Sequence, residues 1–153
     1  MKRNLTFVFF LLFTLSVIRA FPHQLKKRST AFGLCPPKDG TTPPLISVEL
    51  VPDPVLPGQN AVFVVSGTLE EDIISSTQLV AYYSNPDNNR SVSDPFTHSF
   101  CGGSGCPIQA NTEFTKFMSN TAPEILTVPY GIVVNVVDVT NKTLGCATAL
   151  IQL

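Results

Sequence analysis

Apolar and polar positions alternate along much of this chain with a period of two, the spacing that turns one strand face inward and the other toward water. Leu45–Val51 sets Ile46, Val48 and Leu50 against Ser47 and Glu49. The segment Pro52-Asp53-Pro54-Val55-Leu56-Pro57-Gly58 breaks that pattern, because proline cannot donate to a ladder and glycine favours turns. Asn60–Leu69 is rich in valine, and placing Val62, Val64 and Ser66 on one face predicts a second strand. Thr77–Ser84 alternates Leu79, Ala81 and Tyr83 before the turn cluster Asn85-Pro86-Asp87-Asn88-Asn89. Arg90–Phe100 is weak and contains Pro95, so it predicts an edge strand or a loop. Thr112–Ser119 carries Phe114 and Phe117, Tyr130–Val139 is the most apolar segment, and Lys142–Leu153 closes the chain. No stretch shows helical periodicity. Short strands at this spacing, with turn signals between them, predict an all-β fold: an immunoglobulin-like antiparallel β-sandwich of two sheets.

The first 28 residues stand apart. Met1-Lys2-Arg3-Asn4 is a short basic start, Leu5 to Ile18 is a nearly unbroken apolar stretch of 14 residues, and Arg19-Ala20 offers a small residue for cleavage. That is the pattern of an export signal over 1–20, too short for a membrane span. Phe21 to Arg28 ends in Lys26-Lys27-Arg28, which predicts a propeptide over 21–28 removed by a dibasic protease. Six of the ten basic residues and none of the eleven acids precede Ser29. Residues 29–153 therefore hold four basic and eleven acidic side chains, a net charge of −7. Such a chain does not replace phosphate counterions, which excludes general nucleic-acid binding. The remaining 125 residues are one domain by size, and we expect a monomer in the secreted space or a vacuolar or lysosomal lumen.

Four cysteines in an exported chain predict two disulfides. Cys101-Gly-Gly-Ser-Gly-Cys106 is flexible enough to close a tight loop. Of the three pairings, Cys101–Cys106 with Cys35–Cys146 fits best, tying the N-terminal arm to the last strand. A structural zinc needs four ligands, usually Cys or His; with only His23 and His98 beside these cysteines, no metal site is expected. His98, in the weak strand segment, is the one histidine after residue 28, and no nucleophile turn accompanies it. Glu70-Glu71-Asp72 reads as a solvated turn, not a catalytic carboxylate pair. We expect no enzyme and no cofactor. The sequons Asn89-Arg90-Ser91 and Asn141-Lys142-Thr143 fall at turns, which makes Asn89 and Asn141 glycosylation candidates.

Apolar residues exceed what a sandwich core needs. Tyr130 to Val137 is apolar on both faces, and Phe96, Phe100, Ile108, Phe114, Phe117 and Met118 lie in or near the segment that carries the small loop. Such an excess fits a cavity between splayed sheets that takes an apolar ligand. The Cys101-to-Gln109 run, the aromatic-bearing strand after it, and Leu144-Gly145-Cys146 resemble the ML lipid-recognition domain over about residues 33–153. That family includes Niemann–Pick type C sterol carriers, mite group 2 allergens and fungal phosphatidylglycerol/phosphatidylinositol transfer proteins, which the leader and the Pro/Gly arm resemble most. The resemblance implies a sandwich that admits one lipid, with transient membrane contact and without catalysis or metal. It implies the same two disulfides, Ile108 and Phe114 near the cavity mouth, and Val62, Val64, Ile132, Val134 and Val136 facing inward. Phe100 and Phe117 complete the expected lining. Many sterol-carrying members have a third disulfide in the first hairpin, whereas Pro52 to Gly58 contains no cysteine, which leans the ligand toward phospholipid over sterol. The rival readings are an adhesion or effector sandwich with a solid core, and a carbohydrate-binding sandwich. The absence of tryptophan counts against the latter.

Overall fold

A computed structural model describes residues 29–37, 40–88, 90–102 and 105–152. The expected signal and propeptide (1–20 and 21–28) and the sequon residue Asn89 lie outside the described residues. Every regular element described is a strand: β1 Ser47–Val51, β2 Asn60–Thr68, β3 Gln78–Ser84, β4 Phe96–Ser99, β5 Glu113–Thr121, β6 Tyr130–Val137 and β7 Thr143–Ile151. They form a three-stranded sheet in the order β1-β2-β5 and a four-stranded sheet in the order β4-β3-β6-β7. All pairings are antiparallel. The weak segment becomes β4, four residues long at a sheet edge and starting directly after Pro95. That is where a residue without an N–H does least harm to a ladder.

The core is the set of inward side chains of both sheets. Leu79, Ala81 and Tyr83 of β3 and Ile132, Val134 and Val136 of β6 are fully buried on one side. Val48 and Leu50 of β1, Ala61, Phe63 and Val65 of β2, and Phe114 and Met118 of β5 face them. Fully burying one such Val, Ile or Phe side chain contributes about 1.5–3 kcal/mol, so the shared interior holds the sheets together. Both disulfides join the expected partners: Cys35 with Cys146 (Cα–Cα 5.9 Å) and Cys101 with Cys106 (5.7 Å).

On β2 the expected parity is reversed. Val62, Val64 and Ser66 are half-buried on the outer face, whereas Ala61, Phe63 and Val65 point inward. Both faces of this strand are apolar, so the hydrophobic pattern alone leaves register open. The large Phe63 takes the interior because it packs on Phe96 across the sheets, with ring centroids 5.4 Å apart. Phe117 is likewise corrected. It sits opposite Val64 on the outer face and is 64 % exposed. Inward Phe114 and outward Phe117 differ by three positions, an odd offset that puts two residues on opposite faces of a strand.

Candidate functional site

The two long sides of the sandwich are built differently. Along the β1/β7 side the sheets are stitched together. Ile46 donates its N–H to Cys146 O (3.4 Å), Cys146 donates back to Pro44 O (2.9 Å), and the Cys35–Cys146 disulfide sits on the same residue. Gly145 permits this approach, since a Cβ there would lie 2.7 Å from Leu69 Cδ2 and 2.8 Å from Ile46 Cγ2. Along the β4/β5 side, among the described residues, no backbone hydrogen bond joins the two edge strands. The sheets meet there through side chains. Phe100 packs edge-on against Phe114 at 5.0 Å, Lys116 Nζ lies 6.0 Å over the Phe100 ring, and Phe96 packs on Phe63 and Tyr83.

A depression of about 380 Å³ opens beside the small disulfide loop, lined by Phe100, Cys101, Cys106, Ile108, Phe114 and Lys116 among others. Phe100 and Phe114 are nearly fully buried core members, so the depression touches the interior directly. Ile108 is half-buried and pairs through its backbone with Ile73 (2.9 and 3.0 Å). The structure thus gathers Phe100, Ile108 and Phe114 at this end. Ile132, Val134 and Val136 face inward as expected, with no exposed surface. Val62, Val64 and Phe117 lie on the outer face, away from these residues. His98 is exposed on β4, and among the described residues no group of His, Cys, Asp or Glu is arranged to hold a metal ion.

The opposite end carries features that the alternation pattern does not reveal. The 52–59 and 122–129 loops are joined by Gly58 N–H to Ala122 O (3.1 Å) and Ala122 N–H to Gln59 O (2.8 Å). They expose Leu56, Ile125 (70 %) and Val128. The signal available in the sequence is three apolar residues inside proline-bearing turns, where solvated positions are usually polar. Beneath these loops lie two tyrosines, their rings edge-on at 6.0 Å. Tyr130 donates its hydroxyl to Val55 O in the 52–59 loop. Burial first, then the nearby Asp53 carboxylate, push its phenol up to about 12. Tyr83 is fully buried and its hydroxyl has no hydrogen-bond partner. Burial, then Tyr130, hold that phenol well above its ordinary value.

Asn141 is exposed in the β6–β7 turn with φ +62°. Asp138 organises this turn by accepting from Thr140 N–H (2.7 Å), the Thr140 hydroxyl (2.7 Å) and Lys142 N–H (2.9 Å). The Thr140 hydroxyl, chiefly, holds the Asp138 carboxyl below its usual range. The Lys142 ammonium pairs with Glu71 across the neighbouring depression.

Comparison with known proteins places this architecture. No curated protein matches the chain in sequence. Among solved structures, chicken MD-1 complexed with lipid IVa superposes with a TM-score of 0.50 at 14 % identity, over 79 % of this chain and 86 % of that one. A Niemann-Pick type C2 protein from the Japanese carpenter ant does so with a TM-score of 0.52 at 10 % identity, over 78 % of this chain and 96 % of the other. At such identities the likeness is one of fold. The family model for the ML domain (E1_DerP2_DerF2) matches residues 29–153, the whole described part of the chain, and the protein therefore belongs to the ML domain family.

Proposed function

We propose that this protein binds one lipid between its sheets and carries it between membranes in a secreted or luminal space. The observation that carries the reading is the asymmetry of the sandwich: backbone hydrogen bonds stitch the sheets along β1/β7, beside the disulfide that ties the N-terminal arm to β7, whereas among the described residues only side chains join the edge strands β4 and β5. The sheets can hinge about the first side while aromatic pairs separate along the second. Family membership and the lipid IVa complexed with chicken MD-1 support it. Apolar tails would replace the Phe100–Phe114 and Phe63–Phe96 contacts, gaining about 0.8 kcal/mol per buried CH₂. A charged headgroup would stay at the mouth, since burying it is costly. The resemblance put Ile108 and Phe114 near that mouth. The exposed Leu56, Ile125 and Val128 favour the other end as the membrane-facing one. Phospholipid and sterol are both candidate ligands, a monomer is the working unit, and Asn141 points to solvent as a glycan requires.

Native mass spectrometry of the secreted protein, followed by lipid extraction, tests the reading. A bound mass that extracts as phospholipid or sterol supports it. A bare protein that takes up nothing from liposomes overturns it. That outcome would favour a protein-binding sandwich instead, docking through the exposed outer face of Val51, Val64 and Phe117.

A further inference from the structure

Tyr83 is chemically overqualified for its place. Its ring packs against Phe96 and Tyr130, both at 6.0 Å, and a phenylalanine would fill that role. The hydroxyl adds a polar group with no exposed surface and no hydrogen-bond partner, the only such side-chain atom among the described residues. Buried hydroxyls are almost always paired, because an unpaired one forfeits its hydration without return. The neighbouring tyrosine is no help, since the Tyr130 hydroxyl is committed to Val55 O.

We propose that the Tyr83 hydroxyl is the donor that fixes the bound lipid by an uncharged oxygen, a hydroxyl or an ester carbonyl, just inside the sandwich. This rests on the lipid-carrier reading above. Three observations set the ligand class. The phenol keeps its proton far into the alkaline range, so it is a permanent donor. Its surroundings are Phe96, Tyr130 and the register partner Ile132, with Phe63 packed beyond Phe96, too apolar to receive a phosphate or carboxylate charge. It is also the second-last residue of β3, beneath the end that exposes Leu56, Ile125 and Val128. That is the depth of the polar–apolar junction of a lipid whose headgroup stays outside. From Tyr83 back to Leu79 the inward face of β3 runs about 13 Å, the path of the apolar part.

The test uses the full secreted protein, delipidated, as wild type and Tyr83→Phe. Two probe pairs differ only in the oxygen: cholesterol against cholest-5-ene, and diacyl phosphatidylglycerol against its dialkyl ether analogue. Wild type should favour the oxygen-bearing member of one pair by about two- to thirteenfold, the span of one net hydrogen bond. The Phe variant should bind both members like the poorer one. The pair that shows the gap identifies a sterol hydroxyl or an ester carbonyl as the source. No gap in wild type, or the same gap in the variant, overturns the proposal while leaving the carrier reading intact. Failure of wild type to bind any probe removes the carrier reading itself. Thermal unfolding without lipid supplies the control. The variant should melt at or above the wild-type temperature, whereas a lower one would show that the hydroxyl already serves the empty fold, through an internal water for example, and would also overturn the proposal.

Discussion

Gly145 lies in β7, where Leu69 and Ile46 side chains occupy the space an added Cβ would need. A methyl there must push Leu69 and Ile46 away on the side where the sheets are stitched. Gly145→Ala should therefore cost about 1–3 kcal/mol by overpacking, measured by denaturant unfolding, and wild-type stability would mean that this side yields more easily than its contacts indicate. The phenols make a second prediction. All three tyrosines, Tyr82, Tyr83 and Tyr130, are held above their ordinary 10.0, each chiefly by burial, with an opposing hydrogen bond from Asn135 at Tyr82. A phenol raised in the folded state adds stability that is complete below the unfolded value of 10.0 and declines as pH rises through the folded one. Stability should thus fall from about pH 10 upward, and tyrosinate absorbance should lag behind that of a free phenol until the chain opens. Absorbance rising at the free-phenol pH with the fold intact would contradict this burial. At this scale sequence reading succeeds where one face is clearly apolar, as at Ile132, Val134 and Val136. It fails on β2, where Ala61, Phe63 and Val65 compete with Val62 and Val64, and a one-residue slip exchanges every side chain. The orphan hydroxyl of Tyr83 was not legible at all, because partners are a property of the fold.

Strands and their links were more legible than single side chains. Turn residues mark most breaks, so each expected strand has an observed counterpart, and Pro95 fixes where β4 begins. Which edges face each other was not written locally, apart from the cysteines. Those two links should differ in weight. In the chain-entropy view, the 111-residue separation of Cys35 and Cys146 corresponds to about 5 kcal/mol and the separation of five for Cys101 and Cys106 to about 2 kcal/mol. Replacing Cys35 and Cys146 by serine should accordingly lower unfolding free energy by more than twice the loss from the Cys101/Cys106 pair. Function should divide differently, because the first pair fastens the N-terminal arm to β7 beside the proposed hinge and the second borders the deep end of the lipid path. Removing the small loop's bond should alter lipid uptake more than its modest stability loss would suggest. Equal uptake by the two variants, corrected for folded fraction, would count against the hinge.

At the scale of the molecule, the two ends of the sandwich differ in how their exposed apolar side chains are grouped. One gathers the small disulfide loop with the exposed acids Glu70, Glu71 and Asp72 and the separate apolar residues Ile74 and Val139; the other joins Leu56, Ile125 and Val128 in two bonded loops above the tyrosines, with Asp87, Asp94 and Glu124 also exposed there. The sandwich itself could be read from alternation and turn spacing. Its polarity could not, since loops distant in sequence, 52–59 and 122–129, become one surface only after β2 and β5 pair. The three aliphatic side chains of the joined loops suit brief insertion into the interface of a bilayer, where each adds binding and an introduced carboxylate opposes it. Ile125→Asp should leave lipid affinity within about twofold, since surface changes are usually small in effect, yet slow transfer of a fluorescent phospholipid or sterol between vesicles by about tenfold, equivalent to roughly 1.4 kcal/mol of lost membrane contact. Ile74→Asp, at the other end and also exposed, should transfer at the wild-type rate. The reverse result, with Ile74→Asp slow and Ile125→Asp normal, would turn the molecule around, put the mouth at the small disulfide loop, and make Tyr83 the deepest point of the lipid path instead of its entrance.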